Sequence, residues 1–216
     1  MVRRTKEDAI ATRNGLIDAA ERVFYDKGVS RASLSDIALA AGTTRGAIYW
    51  HFKDKVDLFN AMMDRVTLPL EQGYAEFEAN ADLDPLQRLR AVMALVLESV
   101  ASDEHTRRVF EIAMHKVEYV GELVAVRERH MAACDGFIRQ LARDFELAAS
   151  AQKVAMPVTP LGAALGLHAM FDGLMQNWIL SNGIFDLLGT GRVCTDAFIS
   201  GLGLRIGACA RPAGAP

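Results

Sequence analysis

Apolar positions recur at helical spacing along most of the chain, and no stretch shows the strict alternation that a half-buried strand requires. From Thr12 to Lys27, Leu16, Ile17, Ala20, Val23 and Phe24 mark one helix face, and Gly28 supplies a left-handed stop. Ser33 and Asp36 have capping-box spacing and predict a helix of about two turns over SLSDIALAA, ending at Gly42. Thr43 or Thr44 then caps a third helix carrying RGAIYWHF. Short helix, glycine turn, short helix is the helix-turn-helix pattern, whose second helix fits a DNA major groove.

Helical periodicity continues downstream. Asp54 and Asp57 cap a helix through Leu58, Phe59, Met62, Met63 and Val66 that runs past Pro69 toward Glu78, and the proline predicts a kink. Asp84 and Pro85 open the next helix, through Val92, Leu95 and Val96 to Val100. Asp103 opens another, holding Val109, Phe110, Ala113, Met114 and Val117, and Gly121 to Ala148 reads as one long helix. The loop AASAQKVAMPV follows, then Thr159 and Pro160 as a cap and first-turn pair. The run LGAALGLHAMFDGLMQNWIL is apolar nearly all round, which predicts burial on more than one side. A turn at Asn182 and Gly183 leads to a small-residue helix, GRVCTDAFISGLGLRIG. The fold class is therefore all-α, with about nine helices, and the tail at 210–216, ARPAGAP, is expected to be disordered.

Composition narrows the class without changing it. A chain of 216 residues with 51% hydrophobic and 24% charged residues can bury a substantial core. No apolar run reaches the roughly 18 to 20 uncharged residues of a membrane-spanning helix, and MVRRTKEDAIATR lacks a secretory apolar stretch, so a cytoplasmic protein is expected. Cys134, Cys194 and Cys209 are widely spaced without a C-x-x-C pair, which suits reduced packing thiols. Net charge is −3 overall but +3 over residues 1–55 and −6 over the rest, so the N-terminal quarter is the part suited to a polyanion.

The stretch Tyr49, Trp50, His51, Phe52 sharpens that placement. Successive helical residues point about 100° apart, so four large side chains in a row cannot all enter one core. Ile48 and Phe52 share a face with Leu34 and Ile37 as core partners, whereas Arg45 and Tyr49 share another. Arg45 offers a guanidinium for a guanine edge or phosphate, Tyr49, Trp50 and His51 offer polar tips, and Gly46 permits close backbone approach. Lys53 and Lys55 are expected phosphate contacts, and Arg3, Arg4 and Lys6 form an arm suited to the backbone or minor groove.

The stretch from about Lys6 to Phe59, with AAERVFYDKGVSRASLSDIALAAGTTRGAIYWHFKDKVDLF, resembles the DNA-binding domain of the TetR family of transcriptional repressors. RRTKEDA, TRGAIYWHFKDK and TRRVFEIAMHKVEYVGEL together resemble the branch that represses multidrug efflux pump operons. The resemblance implies an all-helical homodimer with a helix-turn-helix head at 1–54 and a ligand-binding and dimerisation domain at 55–209. It also implies DNA contacts at Ser33, Thr44, Arg45, Tyr49, Trp50, His51 and Lys55. Two C-terminal helices pair with their mates in this family, which places Leu174, Met175, Trp178, Phe198, Ile199 and Leu202 at the expected interface.

A palindromic operator and a small hydrophobic or aromatic effector are then the expected partners, with no cofactor and no membrane partner. For the effector, apolar walls with a few polar groups suit drug-like molecules. The candidate set is Tyr74, Phe77, Glu78, Met93, Val96, Phe110, Glu111, Met114, Phe137, His168, Phe171, Asp172 and Gln176. Asp172, a carboxylate inside HAMFDGLM, must be paired, hydrogen-bonded or shifted toward its neutral form. A regulator that senses a metabolite is the alternative. Glu111, His115 and Glu118 at i, i+4 and i+7 share a helix face, but no second Glu/His set accompanies them, so no metal site is expected. There is no G-x-S-x-G nucleophile motif and no glycine-rich phosphate loop, so an enzyme is not expected.

Overall fold

The computed structural model describes residues 6–80 and 83–207, and among them the chain forms nine α-helices and no strand. The helices are α1 (Lys6–Lys27), α2 (Leu34–Ala40), α3 (Arg45–Tyr49), α4 (Lys55–Ala79), α5 (Pro85–Ser102), α6 (Glu104–His115), α7 (Val124–Gln152), α8 (Pro160–Leu180) and α9 (Leu187–Gly201). None is long and apolar enough to cross a membrane. Arg3, Arg4, Cys209 and the 210–216 tail lie outside the described residues.

Most starts are set by one side chain each. Ser33 accepts from the Asp36 N–H while the Asp36 carboxylate takes the Ser33 N–H, so the capping box is complete. Of the two threonines, Thr44 caps α3 by accepting from the Ala47 N–H at 3.2 Å. Asp54 accepts from the Asp57 N–H and Asp57 from the Lys53 N–H, which together open α4. Asp84, Asp103 and Thr159 open α5, α6 and α8 in the same way. Gly28 and Gly42 adopt φ of +78° and +64°, a backbone that costs other residues strain, and they end α1 and the α2 turn. Pro69 sits inside α4 without ending it.

Several boundaries differ from the sequence reading: α3 closes at Tyr49 with Trp50 as its C-cap, so His51 and Phe52 lie beyond it, and α6 ends at His115, before Val117. Helix α1 begins six residues early, at Lys6, where Glu7 and Asp8 supply first-turn acids. Gly121, at φ +55°, opens a 3₁₀ turn through Leu123, so α7 starts only at Val124 but runs on to Gln152. Asp186 caps α9 through the Gly189 N–H, so that helix spans Leu187–Gly201 rather than starting at Gly191.

The chain divides into two compact units, Met1–Pro69 with Asp103–Met131 and Leu70–Ser102 with Ala132–Pro216. In the first, α1 packs against α2 and α6, and α2 against α3. Its core holds Leu16, Ile17, Phe24, Ile37, Ile48, Phe52, Leu58, Met62 and Ile112, all nearly solvent-free. The unit is thus larger than the 1–54 segment, because α6 is needed to cover α1. In the second, α5 packs against α8 and α9, burying Leu89, Val92, Leu97, Phe145, Leu167 and Ile199. Gly191 lets α9 approach α5 closely, since a Cβ there would meet the Leu97 side chain.

Candidate functional site

Over α3 and the turn that follows it, the core side and the solvent side separate cleanly. Ile48 and Phe52 are 0% and 2% exposed, with Leu34 packed against them, whereas Tyr49 is 51% and Trp50 88% exposed. Two rings left in water, one on the last residue of a short helix and one on its C-cap, mark a surface for a partner. Arg45 lies on the same side and donates from Nη2 to the Tyr49 hydroxyl at 2.9 Å, its guanidinium carbon 5.7 Å from the ring centre. The i, i+4 pair therefore fixes a forked cation at the surface of α3. Gly46 is exposed, with only the Thr44 hydroxyl near the place a Cβ would take. His51 is half-buried, its ring 6.4 Å from Phe52, and Arg13 of α1 covers the other aromatic with its guanidinium carbon 5.0 Å from the Phe52 centre.

Two expected contacts have local duties. Ser33 is exposed, but its hydroxyl is engaged with Asp36 on both its donor and its acceptor side. The Lys55 side chain is only 11% exposed, and its ammonium donates to the Val29 and Ala32 carbonyls at 3.0 and 3.1 Å and pairs with Glu122. Burying a lysine stem while its head is taken by carbonyls stitches the start of α4 to the loop before α2, and removes Lys55 from the exposed face. Lys53, by contrast, is exposed.

Unit two gathers part of the expected effector set. Tyr74 and Phe137 meet edge to face with centres 6.2 Å apart, Phe137 meets His168 at 5.9 Å, and His168 Nδ1 lies 3.2 Å from Asp172 Oδ2. Asp172 is half-exposed and paired along its own helix, which answers the need for a partner inside the apolar run. Among the described residues the Tyr74 hydroxyl is buried without a hydrogen-bond partner, and burial, with the charges of Asp144 and Glu78, holds it above the ordinary phenol range. Burial likewise pushes the Cys134 thiol up, with the Asp172 charge adding to it.

Other members of the set fall elsewhere. Met93 and Phe171 are core residues, 2% and 5% exposed, and Glu78 and Gln176 are exposed, with Glu78 facing Arg143 at 3.8 Å. Val96 and Phe77 are partly buried in unit two, whereas Phe110, Glu111 and Met114 belong to unit one, where Glu111 pairs with Lys116. A polar cleft of roughly 200 Å³ in unit one is lined by Tyr25, Arg31, His115, Lys116 and Glu118 among others; His115, one of the polar groups the sequence places among the apolar effector walls, is the one member of that group in it. Among the described residues no group of three or more His, Cys, Asp or Glu is placed to hold a metal.

The expected subunit interface divides in two. Met175, Trp178, Ile199 and Leu202 are already buried inside one chain, at 2, 9, 0 and 7% exposure, and the Trp178 indole donates to the Phe185 carbonyl at 2.9 Å. They form internal core. Leu174 and Phe198 are partly buried, the latter packed on Phe145. Among the apolar side chains the second unit leaves in water are Leu161, Leu165 and Leu180 of α8, Ile184 of the turn, and Leu188 and Val193 of α9, with Leu147 and Val158 elsewhere in the unit. An all-round apolar helix has two apolar sides, and periodicity does not say which one the chain itself covers.

Residues 16–62 match the family described as bacterial regulatory proteins, tetR family, and residues 84–203 match the C-terminal region of MAATS-type transcriptional repressors. The chain is 37% identical to the HTH-type transcriptional regulator AcrR of Shigella flexneri over 87% of both chains. Among solved structures it resembles NalD, the secondary repressor of the MexAB-OprM multidrug efflux pump in Pseudomonas aeruginosa, with a TM-score of 0.80 and 35% identity over 90% of this chain and 98% of that one. It also resembles the triclosan complex of SmeT, repressor of the Stenotrophomonas maltophilia pump SmeDEF, with a TM-score of 0.79 and 29% identity over 95% and 97%. With its helix-turn-helix head and its helical C-terminal region both matched, the chain belongs to the TetR family of transcriptional regulators.

Proposed function

We propose that this protein is a ligand-responsive transcriptional repressor that binds a palindromic operator as a homodimer and controls a multidrug efflux pump operon from the cytoplasm. The observation that carries the reading is the α3 surface, where the Arg45–Tyr49 pair and an 88% exposed Trp50 stand outside a closed core. Arg45 supplies base readout, Tyr49, Trp50, His51 and Thr44 supply contacts to base edges, methyl groups and phosphates, and Gly46 lets the backbone close on the duplex. Lys53, expected like Lys55 to contact phosphate, is the exposed one of the two and supplies that contact, while the Lys55 ammonium is engaged with the Val29 and Ala32 carbonyls. Functionally, residues 1–54 form the head, 55–209 the effector and dimer domain.

The exposed face of Leu161, Leu165, Leu180 and Val193 supports self-association, because monomeric proteins seldom leave so many aliphatic side chains in water on neighbouring helices. A two-fold dimer would place two recognition helices about 34 to 36 Å apart, one turn of DNA. Relatives that repress efflux pumps, one of them solved with triclosan, support an aromatic effector held by Tyr74, Phe137, His168 and Asp172. The effector releases DNA by binding better to a dimer whose heads are wrongly spaced. The family consists of regulators, and this reading assigns the chain no catalytic step.

Selection of duplexes from a random pool by the purified protein tests the reading, followed by anisotropy titration with triclosan. An enriched inverted repeat that triclosan releases is the expected result. Enrichment of no inverted repeat overturns operator recognition, and an operator unmoved by saturating triclosan removes that compound from the effector class.

A further inference from the structure

Arg13 stands on the N-terminal half of α1, where its neighbours three and four positions away are Ala9, Ile10, Leu16 and Ile17, so no acid on its own helix answers its charge. What it meets is aromatic. Its guanidinium carbon lies 5.0 Å from the centre of the Phe52 ring, in the turn after α3, and among the described residues it forms no ion pair. Phe52 is 2% exposed whereas Arg13 is exposed, so the cation rests on the solvent side of a ring that closes the core. Lys53 follows Phe52 and is also exposed; its backbone N–H is taken by Asp57, and its ammonium meets no acid among the described residues. Asn14 and Gly15 beside Arg13 are exposed too, with nothing within 4 Å of where a Gly15 Cβ would stand. Other arginines of the same unit are tied to acids: Arg65 to Asp18, Arg108 to Glu104 and Arg129 to Asp64.

We propose that Arg13 is a further DNA-contacting residue: its guanidinium, resting on Phe52 beside Lys53, takes a phosphate of the duplex backbone next to the groove that α3 enters. The inference rests on the operator-binding reading above and adds a contact from α1 to the α3 face. A guanidinium on a ring face keeps its in-plane N–H donors for another acceptor, and two of them match the two free oxygens of a phosphate. Phe52 holds the group before DNA arrives, so less side-chain freedom is lost on binding. No carboxylate has to be given up first, as it would at Arg65 or Arg129. Because a phosphate is the same in every sequence, the contact adds affinity without choosing an operator. A mere cover for Phe52 would be served as well by an uncharged side chain of similar length, and that difference can be measured.

The test measures the affinity of the full chain for the selected operator and for a scrambled duplex over a series of salt concentrations. For wild type, log K should fall linearly with log salt. Arg13→Met keeps a long side chain over Phe52 and removes the charge; it should weaken both duplexes by a similar factor and flatten the salt slope by about one for each bound protomer. Arg13→Gln reads the same slope if the methionine variant does not fold, and Arg13→Lys, which returns the charge, should restore most of it. Arg31→Gln is the control, since Arg31 is held to the Lys27 carbonyl at the far end of α1, about 20 Å along the helix, and its slope should match wild type. Wild type that binds no duplex, or binds with no salt dependence, overturns the DNA-binding reading itself. A normal wild-type slope alongside a folded Arg13→Met or Arg13→Gln whose slope changes no more than that of Arg31→Gln overturns the role of Arg13.

Discussion

Asp144 and Arg88 form a deeply buried ion pair in the second unit. Asp144 is 2% exposed, and Arg88 Nε donates to its Oδ1 at 3.2 Å, with Nη2 on the same oxygen. Burial pushes the Asp144 carboxyl above its ordinary range despite the guanidinium, whose own pKa the pair raises. Desolvation, helped by the Glu78 charge, outweighs the attraction of Arg88 and Arg143 for the acid. A carboxyl whose folded pKa is raised favours the fold more at low pH, and that advantage fades as pH rises through the carboxylate range. Arg88→Ala removes the guanidinium hydrogen-bonded to Asp144, leaving only the more distant charge of Arg143, and should cost about 3 to 5 kcal/mol at pH 7. The loss should shrink when the melt is repeated at pH 5, where the orphaned carboxyl takes up a proton more readily. A variant equally weakened at both pH values contradicts this account of Asp144.

At the scale of elements, helix starts were legible because each is fixed by one side chain and its neighbours. Ser33, Thr44, Asp103 and Thr159 all cap where their spacing indicated. Boundaries shifted where the signal is diluted: Gly189 and Gly191 hid the true start of α9 behind two residues that disfavour helix. Close approach is equally invisible in one chain read linearly. A Cβ at Gly191 would run into Leu97 Cδ1, so the leucine, itself 2% exposed, would have to shift within a packed core. Gly191→Ala should therefore destabilise the protein by about 1 to 3 kcal/mol through overpacking between α5 and α9, despite alanine's better helix propensity. Gly15, in α1 with nothing within 4 Å of its Cβ position, is the control: Gly15→Ala should stabilise by up to about 1 kcal/mol. Thermal melts of the two variants that move in the same direction contradict the packing argument.

For the whole molecule, the head was the most legible part of the candidate site. Its rings exceed what one helix face can bury, and the surplus, Tyr49 and Trp50, stands in water as the sequence required. The exposed apolar face proposed for self-association was legible only as a region. Met175 and Trp178 look as suited to a mate as Leu165 and Leu180, and only the tertiary fold assigns the former to the chain's own core. Arg13 was missed because a single exposed arginine carries no pattern in sequence, and only the tertiary fold sets it over Phe52. Leu165→Glu, placing a charge on the exposed α8 face, should convert the dimer to a monomer of unchanged fold and weaken palindrome binding by at least about tenfold. Sedimentation and circular dichroism check both halves of that expectation.

The most direct measurement is the affinity of wild type and Arg45→Ala for the selected operator and for a scrambled duplex of equal length, at one fixed salt concentration. The account predicts that wild type prefers the operator and that Arg45→Ala loses about 1 to 3 kcal/mol of that preference per half-site while binding the scrambled duplex nearly as before. An Arg45→Ala protein that keeps the full operator preference contradicts α3 as the reading surface.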